Sequence, residues 1–231
     1  PSSAAPGTGA NPPTPPAPPP PQVGSNTVYY FSDCQTGAQV GCRVGDNSRD
    51  GTTEATAKRD LTGFDVNNLA VGTQLKFARG GAWTDIFIFL DNRNATPTQP
   101  LVFESYLPAG ASASAPRPEL RSTGMAFYIG GTYNNTDMDG GYTIRGFKIN
   151  GMGTADTGFA VGSTTRNVLI EDNEITGFGL GFNVQNNTPL GIQGLIIRGN
   201  NIHHNYRMGY LGDAYGLVIE DNLFESNNTV D

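Results

Sequence analysis

The chain's two histidines, His203 and His204, are adjacent and open its densest run of reactive side chains. Between His203 and Tyr215 lie Tyr206, Arg207, Tyr210 and Asp213, so this run of 13 positions holds three tyrosines, an arginine and an aspartate besides the histidines. Imidazole can accept a proton near neutral pH, guanidinium can grip a carboxylate with two parallel hydrogen bonds, and phenol rings can stack on a sugar or donate a proton. The mixture suits a carboxylate-bearing glycan. It equally suits a long solvated turn between strands, and the sequence leaves both open.

Those residues need a scaffold, and the scaffold is a repeat. Ile144-Arg-Gly-Phe-Lys-Ile149, Ile170-Glu-Asp-Asn-Glu-Ile175, Ile197-Arg-Gly-Asn-Asn-Ile202 and Ile219-Glu-Asp-Asn-Leu-Phe224 align, with first residues 26, 27 and 22 positions apart. Such a period with β-type units is a solenoid period, and the Leu ladder of a leucine-rich repeat is missing. The alternative is an all-β coil of short parallel strands whose apolar residues stack coil upon coil. Side-chain alternation then sends Ile144, Phe147 and Ile149 inward and leaves two outward columns: Lys148, Glu174, Asn201, Leu223 and Asn150, Thr176, His203, Glu225. Coils lie about 5 Å apart, so Glu174, His203 and Glu225 could form one acid/base cluster. Scattered charge on a solvated outer face is the plainer alternative.

Three structural columns follow from the same alignment. Asn173, Asn200 and Asn222 should form an amide ladder. Phe159, Phe182 and Tyr210, each directly after a glycine, should stack as aromatics. Arg145, Glu171, Arg198 and Glu220 alternate in sign and should pair on the outer surface, which specifies register more than it stabilises.

With its Ile-x-x-Asn-x-Ile units, and with Gly72-Thr-Gln-Leu-Lys-Phe-Ala-Arg-Gly-Gly-Ala-Trp83 upstream, the chain resembles the right-handed parallel β-helix repeat family that includes pectate-lyase-like proteins. The resemblance implies a right-handed parallel β-helix and a carbohydrate-active protein. It spans polysaccharide lyases, glycoside hydrolases and non-catalytic adhesins, because fold does not fix function. A lyase or hydrolase acting on an anionic polysaccharide is one expectation, with His203 as proton acceptor, Arg207 and Lys148 neutralising a substrate carboxylate, Glu174 and Glu225 as carboxylates, and Tyr206, Tyr210, Asp213 and Tyr215 lining the substrate. A non-catalytic glycan-binding or surface-display protein is the other.

The remaining features bound the setting. Ten of the 16 prolines fall in the first 21 positions, so residues 1–22 read as a linker and 23–231 as the folded domain; a polyproline-like spacer of this length would span roughly 60 Å. Thr73 to Ala78, Ile86 to Leu90 and Pro100 to Tyr106 read as strands, and Thr52 to Leu61 as a short helix capping the open end of the coil. The chain stops within a coil at Asp231, from which a truncated C-terminal end is expected. Cys34 and Cys42 lack metal-motif spacing, and a disulfide is expected in an oxidising, extracellular compartment, secreted or at the cell surface. Asp46 and Asp50 carry the oxygens and the following Gly51 of a calcium loop without its closing glutamate; a turn explains them without metal. A net charge of -7 with no basic cluster argues against nucleic acid. No apolar run is long enough to span a membrane, and a monomer is expected.

Overall fold

A computed structural model of the chain describes residues 27–130, 139–185, 191–212 and 214–228. The proline-rich stretch expected as a linker lies outside them. Among the described residues there are only strands and two single turns of 3-10 helix. The first strands are β1 (Val28–Phe31), β2 (Gln74–Ala78), β3 (Ala82–Trp83), β4 (Ile88–Leu90) and β5 (Leu101–Tyr106). β6 (Glu119–Arg121), β7 (Met125–Ile129), β8 (Asp139–Arg145), the long β9 (Lys148–Val161), β10 (Thr165–Glu171) and β11 (Glu174–Val184) follow. β12 (Ile192–Arg198), β13 (Asn201–His203), β14 (Arg207–Leu211), β15 (Val218–Glu220) and β16 (Leu223–Glu225) complete the order.

All strand pairs are parallel. One sheet runs β1-β2-β5-β8-β10-β12-β15; the other runs β16-β13-β11-β9-β6-β3, while β4, β7 and β14 join it through the far halves of β9 and β11. The chain therefore passes from one sheet to the other and back, each return laying a strand beside the last. A register irregularity between Thr176 and Phe178 marks where β11 changes course.

Alternation places the core. Leu75, Phe103, Ile144, Ile170 and Ile197 stand in one inward column of the first sheet, and Leu120, Ile149, Ile175 and Ile202 in one of the second. All nine are buried. At about 1.5–3 kcal/mol for each fully buried side chain of this size, these two columns are a principal stabilising feature.

Corners between strands require left-handed backbone. The position just before the expected amide ladder takes positive φ in each coil: Gly146, Asp172, Gly199 and Asp221, at 80°, 53°, 62° and 55°. Gly and Asp are residue types that tolerate this conformation, which explains their alternation there. The ladder itself forms as expected. Asn173 Nδ2 donates to Asn200 Oδ1 (3.1 Å) and Asn200 Nδ2 to Asn222 Oδ1 (3.0 Å). A second ladder stands at the next corner, where Asn205 Nδ2 donates to Asn227 Oδ1 at 3.1 Å. Each ladder ends upstream on a buried phenylalanine backbone: Phe147 N–H donates to Asn173 Oδ1, and Phe178 N–H to Asn205 Oδ1.

Two expectations need correction. The helix over Thr52 to Leu61 is not formed; one 3-10 turn, Glu54–Thr56, sits there behind a Thr53 capping box. The edge of β1 is covered instead by extended backbone, with Tyr30 N–H donating to Gly51 O and Ser32 N–H to Lys58 O. Tyr210 does not join the aromatic stack. Phe127, Phe159 and Phe182 stack at 4.9 and 5.4 Å, but Phe182 pairs with Gly209, which leaves Tyr210 beside Asn183 and exposed. One residue of offset reverses the face a side chain takes. Gly140 and Gly141 lie within β8, and a Cβ on Gly141 would lie 2.4 Å from the Thr96 backbone.

Candidate functional site

The outer face of the second sheet brings together side chains from five successive strands. Register confirms the two outward columns: Glu119, Lys148, Glu174, Asn201, Leu223 and Arg121, Asn150, Thr176, His203, Glu225. Glu119 and Arg121 are additions that the repeat alignment did not reach. Arg121 donates to Glu119 Oε2 at 3.1 Å, and Asn150 Nδ2 to Glu119 Oε1 at 2.7 Å. Lys148 Nζ lies 3.8 Å from both Glu119 Oε1 and Glu174 Oε1. Its charge is already balanced on both sides, which weakens the expected role of a free cation for substrate.

His203 Nε2 lies 3.4 Å from Glu174 Oε1, and its Nδ1 lies 2.7 Å from His204 Nδ1. The arrangement that satisfies every contact has Nε2–H of His203 facing the carboxylate and Nδ1–H of His204 donating to His203 Nδ1. That leaves the lone pair of His204 Nε2 uncommitted among the described contacts. His203 is half-buried whereas His204 is exposed. His204 has φ 51°, a left-handed corner just before the second amide ladder, and its ring contact is with His203. The chain thus forms a carboxylate, imidazole, imidazole series leading from the sheet to solvent.

The other expected site residues scatter around the coil. Glu225 is next to His203 in register but exposed and not ion-paired to it. Arg207 lies with its guanidinium carbon 5.4 Å from the Tyr206 ring centre, and Tyr206 is exposed. Tyr210 projects from β14, and Tyr215 bridges to Gln193 beside the first sheet, so the tyrosines do not form one wall. Asp213 lies outside the described residues. Asp46 and Asp50 sit in turns: Asp46 Oδ1 accepts from Ser48 N–H at 2.9 Å and Asp50 Oδ1 from Thr52 N–H at 3.0 Å. Those backbone hydrogen bonds lead the causes that hold both carboxyls below the usual range. Among the described residues no group of three or more His, Cys, Asp or Glu could hold a metal ion. Cys34 and Cys42 form the expected disulfide, with Cα atoms 5.8 Å apart.

The first sheet's outer face is charged too. Lys76, Glu104, Arg145, Glu171, Arg198 and Glu220 occupy one column, linked by contacts of 3.1, 2.6, 3.5, 2.8 and 3.9 Å. Burial alone would raise the Glu104 carboxyl, but hydrogen bonds from Arg145 and Lys76 outweigh it and hold it below its ordinary value. Charges matched at every coil read as register specification.

No protein-family model and no curated protein match the chain. Solved structures do. A rhamnogalacturonan lyase matches with TM-score 0.57 and 13% identity over 88% of this chain. The lacto-N-biosidase of family GH136 from Eubacterium ramulus matches with TM-score 0.56 and 14% identity over 84%. An alginate lyase from Paenibacillus sp. str. FPU-7 gives TM-score 0.48 and 17% identity over 68%. The match covers 54%, 40% and 52% of those proteins' lengths respectively. The first two share this fold of parallel sheets. Among the described residues no helix is long and apolar enough to cross a membrane.

Proposed function

We propose that the parallel sheets coil as a right-handed β-helix in a secreted carbohydrate-active protein, and that the Glu174, His203, His204 series is the proton-accepting centre of a polysaccharide lyase or hydrolase. The observation that carries the reading is the pair of contacts at His203, 3.4 Å to Glu174 and 2.7 Å to His204. A disulfide supports an oxidising compartment. The lyase and biosidase activities named for the structural neighbours support the substrate class.

In this reading Glu174 fixes the His203 tautomer, and when a proton arrives at His204 the His204 Nδ1 proton passes to His203 Nδ1, which places the imidazolium beside the Glu174 carboxylate. The proton acceptor is His204 Nε2, because both nitrogens of His203 are engaged. For a uronan, His204 takes the proton alpha to the sugar carboxylate, the electron pair forms a carbon–carbon double bond, and the glycosidic oxygen at the beta position leaves with a proton. Exposed Tyr206, two positions from His204, is the proposed donor or stacking platform. Arg207 then meets the substrate carboxylate, since Lys148 is held between Glu119 and Glu174. A hydrolase would use the same base to activate water.

The test uses the chain with polygalacturonate, alginate and neutral glycans, with and without calcium. Elimination gives an unsaturated product absorbing in the near ultraviolet; hydrolysis gives only reducing ends. Replacing His204→Ala should reduce turnover by about 10²–10⁴-fold, the range for a positioned general base. Glycan binding with neither signal would sink the catalytic reading and favour a non-catalytic glycan-binding protein.

A further inference from the structure

A cavity of about 340 Å³ lies where the disulfide loop meets the segment after β5. Its walls include Arg43, Arg49, Arg79, Glu54, Tyr106 and the Cys42 end of the disulfide loop. Ligand pockets start near 300 Å³, so the space admits a sugar-sized molecule. Three guanidinium groups against one carboxylate make a cationic wall on a chain of net charge -7.

The electrostatic accounts within the wall differ. Arg49 is occupied: it approaches Asp46 at 3.8 Å and donates to Ala55 O at 3.1 Å. Glu54 Oε2 accepts from Ala109 N–H at 2.9 Å, which ties it to the segment after β5. The Arg79 Nε is buried and has no hydrogen-bond partner. Leaving a buried charged donor unpaired is costly, so an acceptor is expected there. Tyr106 packs edge-on against Tyr30 at 5.1 Å, and burial, more than nearby Glu54, pushes its phenol upward, so it stays a neutral donor.

We infer that this cavity is a binding site for an oxyanion-bearing sugar, with Arg79 and Arg43 gripping the anion and Tyr106 facing the ring. The inference rests on the cavity, its arginine wall and the unpaired Arg79 Nε, and does not need the His204 centre to be catalytic. The disulfide loop connects the two regions. Gly37, in the middle of the loop, packs against Arg121 and Glu119 of the polar row, whereas Gln39, Gly41 and Cys42 line the cavity.

Titration calorimetry of the chain with glucuronate, glucose and inorganic sulfate tests it. Saturable glucuronate binding is expected, with glucose at least tenfold weaker. Arg43→Gln, at an exposed position, and Arg79→Gln should each weaken glucuronate by about tenfold or more, as loss of one charge-assisted hydrogen bond implies. Lys148→Gln, in the polar row, should leave it unchanged. Competition by sulfate would assign recognition to the oxyanion alone, whereas its failure would assign recognition to the sugar acid as a whole. Absence of saturable binding at millimolar glucuronate, or binding that both arginine variants retain, would overturn the inference. Loss on Lys148→Gln with retention in the arginine variants would move the ligand to the polar row and overturn it too.

Discussion

Truncating Asn200→Ala tests the amide ladder. Asn200 is 1% exposed and acts in both directions. Its Oδ1 accepts from the Asn173 backbone N–H at 3.0 Å and from Asn173 Nδ2 at 3.1 Å; its Nδ2 donates to Ile170 O at 2.9 Å and Asn222 Oδ1 at 3.0 Å. Asn173 Nδ2 retains Ile144 O as a partner, but the Asn173 N–H is stranded where water has no access. One orphaned buried donor costs about 1–3 kcal/mol, and each remaining lost bond about 0.5–1.5. The expected destabilisation is about 3 kcal/mol. The control is Asn222→Ala, at the outer end of the ladder, where the stranded Asn200 N–H is only partly buried; about 1 kcal/mol is expected there. Urea midpoints with unchanged m-values supply the comparison. A cost for Asn200→Ala below about 1 kcal/mol, or no larger than for Asn222→Ala, would refute the argument.

Other perturbations probe other layers. Phe159→Ala, at 0% exposure between Phe127 and Phe182, should cost about 3–5 kcal/mol, whereas Tyr210→Ala should stay within about 0.5; equal costs would contradict the observed register. Asp139 is raised to about 6, mainly by burial, against the opposing hydrogen bond from Tyr142. A raised folded value means the contribution to stability is fully present below the unfolded value near 4 and is lost as pH rises through 6, by about 3 kcal/mol in all. Asp139→Asn should flatten the stability profile between pH 4 and 7, and an unchanged profile measured by thermal melts would remove Asp139 from the account. Reducing the Cys34–Cys42 bond should lower stability by about 2–3 kcal/mol, and non-reducing peptide mapping should find the two peptides joined.

Legibility in the sequence followed the strength of the repeat. The first ladder could be read because Asn173, Asn200 and Asn222 hold one offset from framing apolar residues. The second has just two asparagine members, Asn205 and Asn227, with Phe178 one coil earlier, so no column of asparagines announces it. The Tyr210 error came from aligning glycines that precede aromatics, although the backbone pairs Phe182 with Gly209 itself. β1, β3, β6 and β7 went unread because their coils lack the repeated asparagine and are separated by loops of unequal length. For the same reason Glu119 and Arg121 joined the site only once β6 was placed beside β9. The outward columns of Lys148, Glu174 and His203 were legible, since period-two alternation fixes a face once one strand is anchored. His204 was not, because its position depends on a left-handed corner that no strand pattern specifies.

The two charged faces differ in how their carboxylates are paired. On the first sheet each coil supplies the opposite sign of its neighbour, from Lys76 through Glu220, and every carboxylate meets a cation that never titrates in the physiological range. Such a column has no proton to exchange. On the second sheet the alternation begins as Glu119, Lys148, Glu174 and then fails, because the next positions are Asn201 and Leu223. Glu174 shares Lys148 with Glu119 at 3.8 Å each and completes its surroundings from the neighbouring column, at His203. The partner thereby acquired is an imidazole, which can both donate and accept a proton. Interruption of the ion-pair column is therefore what couples a carboxylate to an imidazole, and the corner that follows sets a second imidazole between that pair and solvent.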